Sequence, residues 1–275
     1  MSGVLFWNVH MRDPDSDRVR NMEDTLVEIV AENDCDILVL AEYGAKVKGL
    51  CDVLSILGKN FTERPPVDPL CRLKILADSV IMSEVIMDSP YYAIYNCNML
   101  GNQFLLGGVH LPSKRDGGPE SICQDLAMDI REAAAARERI VLVGDFNANP
   151  FEKAMADFDY LHAIFDAETV KRRRSRKYRH RERPLFYNPS WTLLDERNYP
   201  KGSYWYGGSV NYQLYWNVLD QVIMNVEFME LFQRDSLKLI TGTRDRTFLT
   251  PAGKPDKAGY SDHLPLYFTF QEGIT

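Results

Sequence analysis

RIVLVGDFNANP, residues 139–150, is the stretch on which the fold turns. Ile140, Val141, Leu142 and Val143 form an unbroken apolar run rich in β-branched residues, the pattern of a strand buried on both faces. Gly144 then lets the backbone turn or approach another group closely. Asp145, Asn147 and Asn149 follow at alternate positions, and Asn149-Pro150 closes the turn, since the residue before proline is pushed out of the helical region. Two readings are open: an Asx-rich turn leading into a helix near Phe151, or a catalytic loop at a strand tip. The stretch alone does not decide between them.

Similar runs lie on either side of it. GVLFWNV (3–9), CDILVLAEYG (35–44), NQFLLGGVHLPS (102–113), WNVLDQVIMN (216–225) and HLPLYFTF (263–270) read as strands, and residues 72–99 as hairpin-forming strands. Residues 17–34 read as a helix with Val19, Met22, Leu26, Ile29 and Val30 on one face and Asp17 as its N-cap. Further helical patterns lie at 50–59, 119–138 and 151–158. Strands mixed with surface helices, without an internal repeat or a linker between two composition regimes, predict a single α/β domain spanning 1–275.

The net charge of −7 argues against a protein that is basic all over. One segment departs from that average. KRRRSRKYRHRER, residues 171–183, carries nine Lys/Arg against one Glu, so the rest of the chain holds about −15. It reads as an insertion in the domain. Five dispersed cysteines with no CxxC pair suit reduced thiols better than a disulfide framework or a zinc site. The N-terminus lacks the pattern of a signal peptide and no apolar run is long enough to span a bilayer, so a soluble, cytoplasmic protein with no membrane partner is expected.

The polar residues of the strands give the chemistry. Asn8 interrupts FWNV, Glu42 follows DILVLA, His110 ends QFLLGGV, Asp220 lies in NVLDQVIM, and Asp262-His263 opens the last strand. Taken singly, each caps or turns a chain. Gathered at strand tips, they form a hydrolytic set. Glu42 and Asp262, with the amide oxygen of Asn8, offer hard oxygen ligands suited to Mg²⁺ or Mn²⁺. His263 and His110 can donate to a phosphoryl oxygen, and Asp220 can fix the tautomer of His263. Asp145 can position or deprotonate an attacking water, with Asn147 holding water and phosphate. A GxSxG elbow, Cys–His spacing and a P-loop are all missing, and metal-assisted hydrolysis of a phosphate ester is the reaction these residue types fit.

WN at 7–8, DILVLAE at 36–42, GGVHLPS at 107–113, GDFNANP at 144–150, LDQVIMN at 219–225 and SDHLPL at 261–266 resemble, in order, the motifs of the endonuclease/exonuclease/phosphatase superfamily with its DNase I-like fold. The resemblance implies a four-layer α/β sandwich, two mixed β-sheets packed face to face with helices outside. It implies Glu42 and Asp262 as metal ligands with Asn8 nearby, Asp145 and Asn147 at the attacking water, His263 paired with Asp220, and His110 at the phosphate. Either Asp145 or His263 is then the general base. FYNPSW (186–191), 207–221 and HLPSKR resemble a bacterial subgroup, which adds Lys114 and Arg115 as phosphate contacts.

The basic run has two readings: a self-repelling block that favours disorder, or a flexible clamp giving salt-dependent affinity for nucleic acid. Tyr204, Trp205, Tyr206, Tyr212, Tyr215 and Trp216 stack on bases or simply pack. The function expected is a phosphodiesterase or nuclease on nucleic acid, with a small phosphorylated molecule as the alternative substrate. The third reading, an inactive binding module, requires a missing ligand or histidine, and none is missing.

Overall fold

The computed structural model describes residues 1–208 and 214–271. Strand β1 (Ser2–Met11), helix α1 (Ser16–Asn33) and strand β2 (Cys35–Tyr43) start the chain's first sheet, with β1 and β2 parallel. After α2 (Val47–Leu54), strands β3 (Phe61–Glu63) and β4 (Leu73–Asp78) extend that sheet beyond β2. The chain then crosses to a second sheet through the meander β5 (Met82–Ser89), β6 (Tyr92–Met99) and β7 (Asn102–His110). Helices α3 (Glu120–Asp129) and α4 (Arg131–Ala135) lead into β8 (Ile140–Asp145), parallel to β7. Next come α5 (Lys153–Ala156), β9 (Ala163–Ile164), α6 (Ala167–Arg173), the hairpin β10 (Ser175–Tyr178) and β11 (Arg181–Pro184), and β12 (Phe186–Tyr187). A ribbon of β13 (Tyr204–Tyr206) and β14 (Tyr215–Asn217) precedes β15 (Asp220–Met224), which is antiparallel to β8. Helix α7 (Val226–Met229), β16 (Phe232–Leu239) and β17 (Leu266–Phe270) close the first sheet against β1. The sheet orders are β16-β17-β1-β2-β4-β3 and β5-β6-β7-β8-β15-β12-β9.

Side-chain alternation explains the four layers. On β1, Val4 and Phe6 face the second sheet and pack with Val39, Tyr95, Val141 and Val143. Leu5 and Trp7 point the other way, onto Leu26, Ile29 and Val30 of α1 and Leu50 of α2. On β8, Ile140 and Leu142 face outward to Cys123 and Leu126 of α3. Both faces of the central strands are therefore buried, each apolar side chain contributing about 1.5–3 kcal/mol. The unbroken apolar runs in the sequence follow from this.

Several local expectations are corrected. Asp15, not Asp17, caps α1: its carboxylate accepts from the Arg18 N–H at 2.8 Å. Residues 73–89 form no hairpin, because β4 pairs with β2 and β5 with β6. The helix at 119–138 is two helices meeting at Ile130, and the helix after Pro150 starts only at Lys153. The last strand starts at Leu266, and β16 had no sequence-level signal that distinguished it from a loop.

The basic run is ordered. It comprises the end of α6 and the hairpin β10–β11, with Arg181 on Asp159 (2.5 Å), Arg174 on Glu227, and Arg176, Arg181 and Arg183 around the Phe158 ring. Counter-charges from outside the run offset part of the self-repulsion that the composition suggested. Beneath the hairpin, His162 is buried and donates from Nδ1 to the Pro184 carbonyl (3.1 Å). Burial pushes its pKa down, so the folded chain holds it neutral while the unfolded chain binds a proton below about pH 6.5. Stability should therefore fall as pH drops through that value. Urea midpoints at about pH 8 and about pH 5.5 should differ more for the parent than for His162→Phe.

Candidate active site

Three of the polar tips lie in register on adjacent strands of the second sheet: His110 of β7 is the direct partner of Asp145 of β8, and Asp145 is the direct partner of Asp220 of β15. β7 and β8 finish here and β15 starts here, so a parallel and an antiparallel pairing bring the three together. Gly144 makes this register possible, since a Cβ there would sit 2.0 Å from the Val109 carbonyl oxygen. From the first sheet, Asn8 of β1 and Glu42 of β2 reach the same end. The approach to β17 is tied to β1, with Ser261 Oγ donating to the Asn8 carbonyl (2.6 Å) and Trp7 Nε1 to the His263 carbonyl (2.9 Å). The result is an open cleft of about 950 Å³ between the sheet ends.

Asp145 is the centre of the polar network. Its Oδ1 accepts from the Asn147 N–H (2.9 Å) and its Oδ2 from Asn8 Nδ2 (3.1 Å), while His263 Nε2 lies 3.8 Å and His110 Nε2 4.0 Å from Oδ2. His263 Nδ1 faces Asp220 Oδ2 at 2.8 Å and Oδ1 at 3.1 Å, a fully buried carboxylate behind a nearly buried ring. Burial raises the pKa of Asp145 to about 7, against the pull of His263. Burial alone would lower His263, but Asp220 and Asp145 outweigh it and hold the imidazole up to about 10. His110 is pushed down to about 4 by burial, with Glu42 opposing. The site thus combines an imidazole held up by two carboxylates, an imidazole pushed down by burial, and a carboxyl raised above its ordinary range. Such a spread of proton affinities suits acid–base work.

Glu42 and Asp262 flank the other wall. Each has one oxygen engaged: Glu42 Oε1 accepts from Arg12 and lies 3.5 Å from His110 Nε2, and Asp262 Oδ2 accepts from Lys257 Nζ (2.8 Å). Burial would raise the Glu42 carboxyl, but His10, Arg12 and His110 outweigh it and hold it below the usual carboxylate range. The second oxygens, Glu42 Oε2 and Asp262 Oδ1, are buried and have no hydrogen-bond partner among the described residues. Orphaned anionic oxygens facing one cleft fit a divalent cation. Asp145, Asp220 and His263 also lie close enough to surround an ion, with ligand atoms within 4.8 Å of one another. There, however, both Asp145 oxygens and His263 Nδ1 already have partners, so the Glu42–Asp262 wall is the better fit.

Of the residues singled out in the sequence, Asn8, Glu42, His110, Lys114, Arg115, Asp145, Asn147, Asp262 and His263 all line the cleft, with Asp220 directly behind His263. Asn8 Oδ1 accepts from the His10 N–H (3.1 Å) and its Nδ2 donates to Asp145, so its amide braces both residues. Asn147 anchors its amide on the Leu111 carbonyl (2.8 Å), and Asn149 is structural, accepting from the Val218 N–H and donating to Asn217. The opening stretch thus places Asn149 in buried support of the turn, and Asp145 and Asn147 on the cleft. Lys114 pairs with Glu152 (2.6 Å), and Arg115 donates to the Tyr206 hydroxyl (3.1 Å).

Sequence reading missed His10, Arg12, Arg72 and Lys257, which also line the cleft. Asn8, His10 and Arg12 recur at every second position, the spacing of one strand face, and that was the available signal. Tyr204 and Tyr206 line the cleft, Tyr204 packing 4.7 Å from the His263 ring, whereas Trp205 and Tyr215 pack on each other. Tyr212 lies outside the described residues. None of residues 171–183 lines the cleft. β15 runs away from it to Met224, whose partner is Tyr187, so the basic hairpin leaves the sheet at the far end.

Two mixed sheets face to face, helices outside and polar strand tips gathered at one end define a DNase I-like α/β sandwich. The sequence model of the Endonuclease/Exonuclease/phosphatase family matches residues 5–263, and the chain belongs to that family. Among solved structures it is similar to D. rerio TDP2 complexed with single-strand DNA product (15% identity, 98% of each chain, TM-score 0.57). It is also similar to the human Nocturnin catalytic domain with bound sulfate (18% identity, 98% of this chain and 94% of that one, TM-score 0.54). A third is the Bacteroides thetaiotaomicron mannosyl-6-phosphatase Bt3783 (13% identity, 98% and 100%, TM-score 0.56). These likenesses show the fold. No curated protein matches the chain.

Proposed function

We propose that this protein is a divalent-cation-dependent phosphodiesterase that cleaves nucleic acid by attack of an activated water. Family membership supports hydrolysis of a phosphate ester. The observation that carries the finer reading is the placement of Asp145, braced by Asn8 and Asn147 and facing His263 and His110 at the cleft floor. With its pKa near 7, Asp145 is suited to take a proton from water. His263, kept charged by Asp220, donates from Nε2 to a phosphoryl oxygen, and neutral His110 donates a second hydrogen bond. Lys114 and Arg115 at the rim contact flanking phosphates. Glu42 and Asp262 would hold Mg²⁺ or Mn²⁺, which when bound neutralises phosphate charge and polarises the phosphorus centre.

The open cleft, about 950 Å³, lies within the usual range of small-molecule pockets, about 300–1,000 Å³, and has room for one nucleotide unit of a polymer or for a small phosphate ester. The acidic bulk of the chain favours the second reading, a small phosphorylated molecule. No helix among the described residues is long and apolar enough to cross a membrane. The five unpaired thiols support a reducing, cytoplasmic setting.

The test is turnover of single- and double-stranded DNA and RNA beside a panel of small phosphate esters, with Mg²⁺ or Mn²⁺ and an EDTA control. Preferred turnover of the small esters would favour the second reading, and cation-independent hydrolysis would contradict both. We further propose that 1–275 is one domain carrying 171–183 as an insertion. Ser175 and Pro184 are cross-strand partners, so a two-residue turn can replace 176–183. That variant should fold and keep small-ester turnover, while its affinity for nucleic acid and the salt dependence of that affinity both fall.

A further inference from the structure

We propose that His10 is a nitrogen ligand of the cation site formed by Glu42 and Asp262, and that it biases this site toward Mn²⁺ over Mg²⁺. The inference rests on the reading that Glu42 and Asp262 hold a divalent cation, and it adds the chemistry of the ion. The two orphaned oxygens face one atom: His10 Nδ1 lies 3.5 Å from Glu42 Oε2 and 3.7 Å from Asp262 Oδ1. Both are ion-pair distances. The Glu42 side chain is only 4% exposed, so its free oxygen has no recourse to bulk water. A cation bound between two carboxylates and an imidazole would satisfy all three groups together.

The backbone is shaped for this arrangement. The pairing of β1 with β2 slips between Asn8 and Met11, and such a bulge re-aims the side chain it contains. His10 has φ +48° and Glu42 φ +57°, a left-handed conformation that costs a non-glycine residue energy and collects at functional sites. Asn8 Oδ1 accepts from the His10 N–H (3.1 Å) and holds the bulge in place. Two residues on neighbouring strands thus adopt uncommon backbone angles, and their side chains meet. A site of carboxylate oxygens alone suits Mg²⁺, which keeps several waters. An added imidazole nitrogen favours a first-row transition ion.

Calorimetric titration of the full chain with MnCl₂ and with MgCl₂ tests this, alongside ¹⁴N modulation in the pulsed electron paramagnetic resonance of bound Mn²⁺. Three proteins are compared: the parent, His10→Gly, which keeps the left-handed backbone without a donor, and Glu42→Gln. The parent should bind Mn²⁺ more tightly than Mg²⁺. His10→Gly should loosen Mn²⁺ by about 10-fold or more, the size seen even for groups that only support a ligand, with a smaller change for Mg²⁺ and weakened ¹⁴N modulation. If Glu42→Gln removes Mn²⁺ binding while His10→Gly leaves affinity and modulation unchanged, His10 is no ligand and the cation site stands. Tighter Mn²⁺ binding by His10→Gly would make the imidazole a competitor of the ion and would equally overturn the proposal. If Glu42→Gln also changes nothing, the cation site itself is wrong.

Discussion

Asp145→Asn should lower phosphoester turnover by about 10²- to 10⁴-fold, the range lost with a positioned proton acceptor, while the protein stays folded. The amide keeps an oxygen for the Asn147 N–H, which holds the loop after β8, and gives up only the acceptor that Asn8 Nδ2 used. Stability should respond in a particular direction. Burial raises the folded pKa of Asp145 to about 7, above its unfolded value. A group shifted that way favours the fold below its unfolded pKa, and the advantage is lost as pH rises through the folded one. The parent therefore carries a buried ionised carboxyl in alkaline solution that the variant lacks. Thermal midpoints should show the variant gaining on the parent between about pH 5 and about pH 8.5. A parallel loss of activity and stability would instead make Asp145 a structural residue. The expected pattern is a trade of stability for chemistry.

How much of this could be read beforehand varies with the kind of information each feature needs. β8 and its loop were legible because four apolar residues and the Asp-Phe-Asn turn are local signals, and the register His110–Asp145–Asp220 follows once the strand ends are known. The separation of β4 from β5 was not. Both are strands by alternation, but which sheet each joins depends on Leu76 meeting Leu38 and Tyr95 meeting Val85, contacts the local pattern does not encode. β16 was hidden for another reason. It is an edge strand with Arg234 and Asp235 exposed, and edges carry charge to discourage pairing with other chains, which erases the apolar pattern.

The site shows the same division. Glu42, Asp145, Asp262 and His263 stood at strand ends with chemistry written in their residue types, and the cleft gathers all four. His10 and Arg12 show in the sequence only as an alternation with Asn8, and the bulge and the left-handed backbone of His10 that aim the ring leave no mark in a chain without glycine there. The hairpin at 175–184 shows the limit of composition. A count of cations forecasts repulsion, yet Asp159 and Glu227 meet Arg181 and Arg174 from far along the chain.

Asp220→Asn separates the two roles left open for His263. Asp220 is wholly buried and its partner is the His263 Nδ1 proton. An asparagine there can present its NH₂ group instead, which turns Nδ1 into an acceptor and leaves a neutral ring with the proton on Nε2. A ring that serves as general base needs a free Nε2 lone pair, and this tautomer withholds it; losses of about 10⁴-fold accompany the analogous change in a catalytic triad. A ring that donates from Nε2 keeps its donor and loses only its charge, a smaller penalty of about 10- to 10²-fold. The second outcome is expected, with Asp145 as base. The imidazole should meanwhile lose most of the support that holds it up to about 10 against burial. Its ¹⁵N shifts followed across pH by nuclear magnetic resonance should show a markedly lower pKa in the variant. Asp220→Ala, which leaves the ring without any partner, should be destabilised by about 3–5 kcal/mol, the usual cost of removing one member of a buried ion pair. An unchanged imidazole titration in Asp220→Asn would show that Asp220 does not control the ring, and the donor assignment for His263 would lose its physical basis.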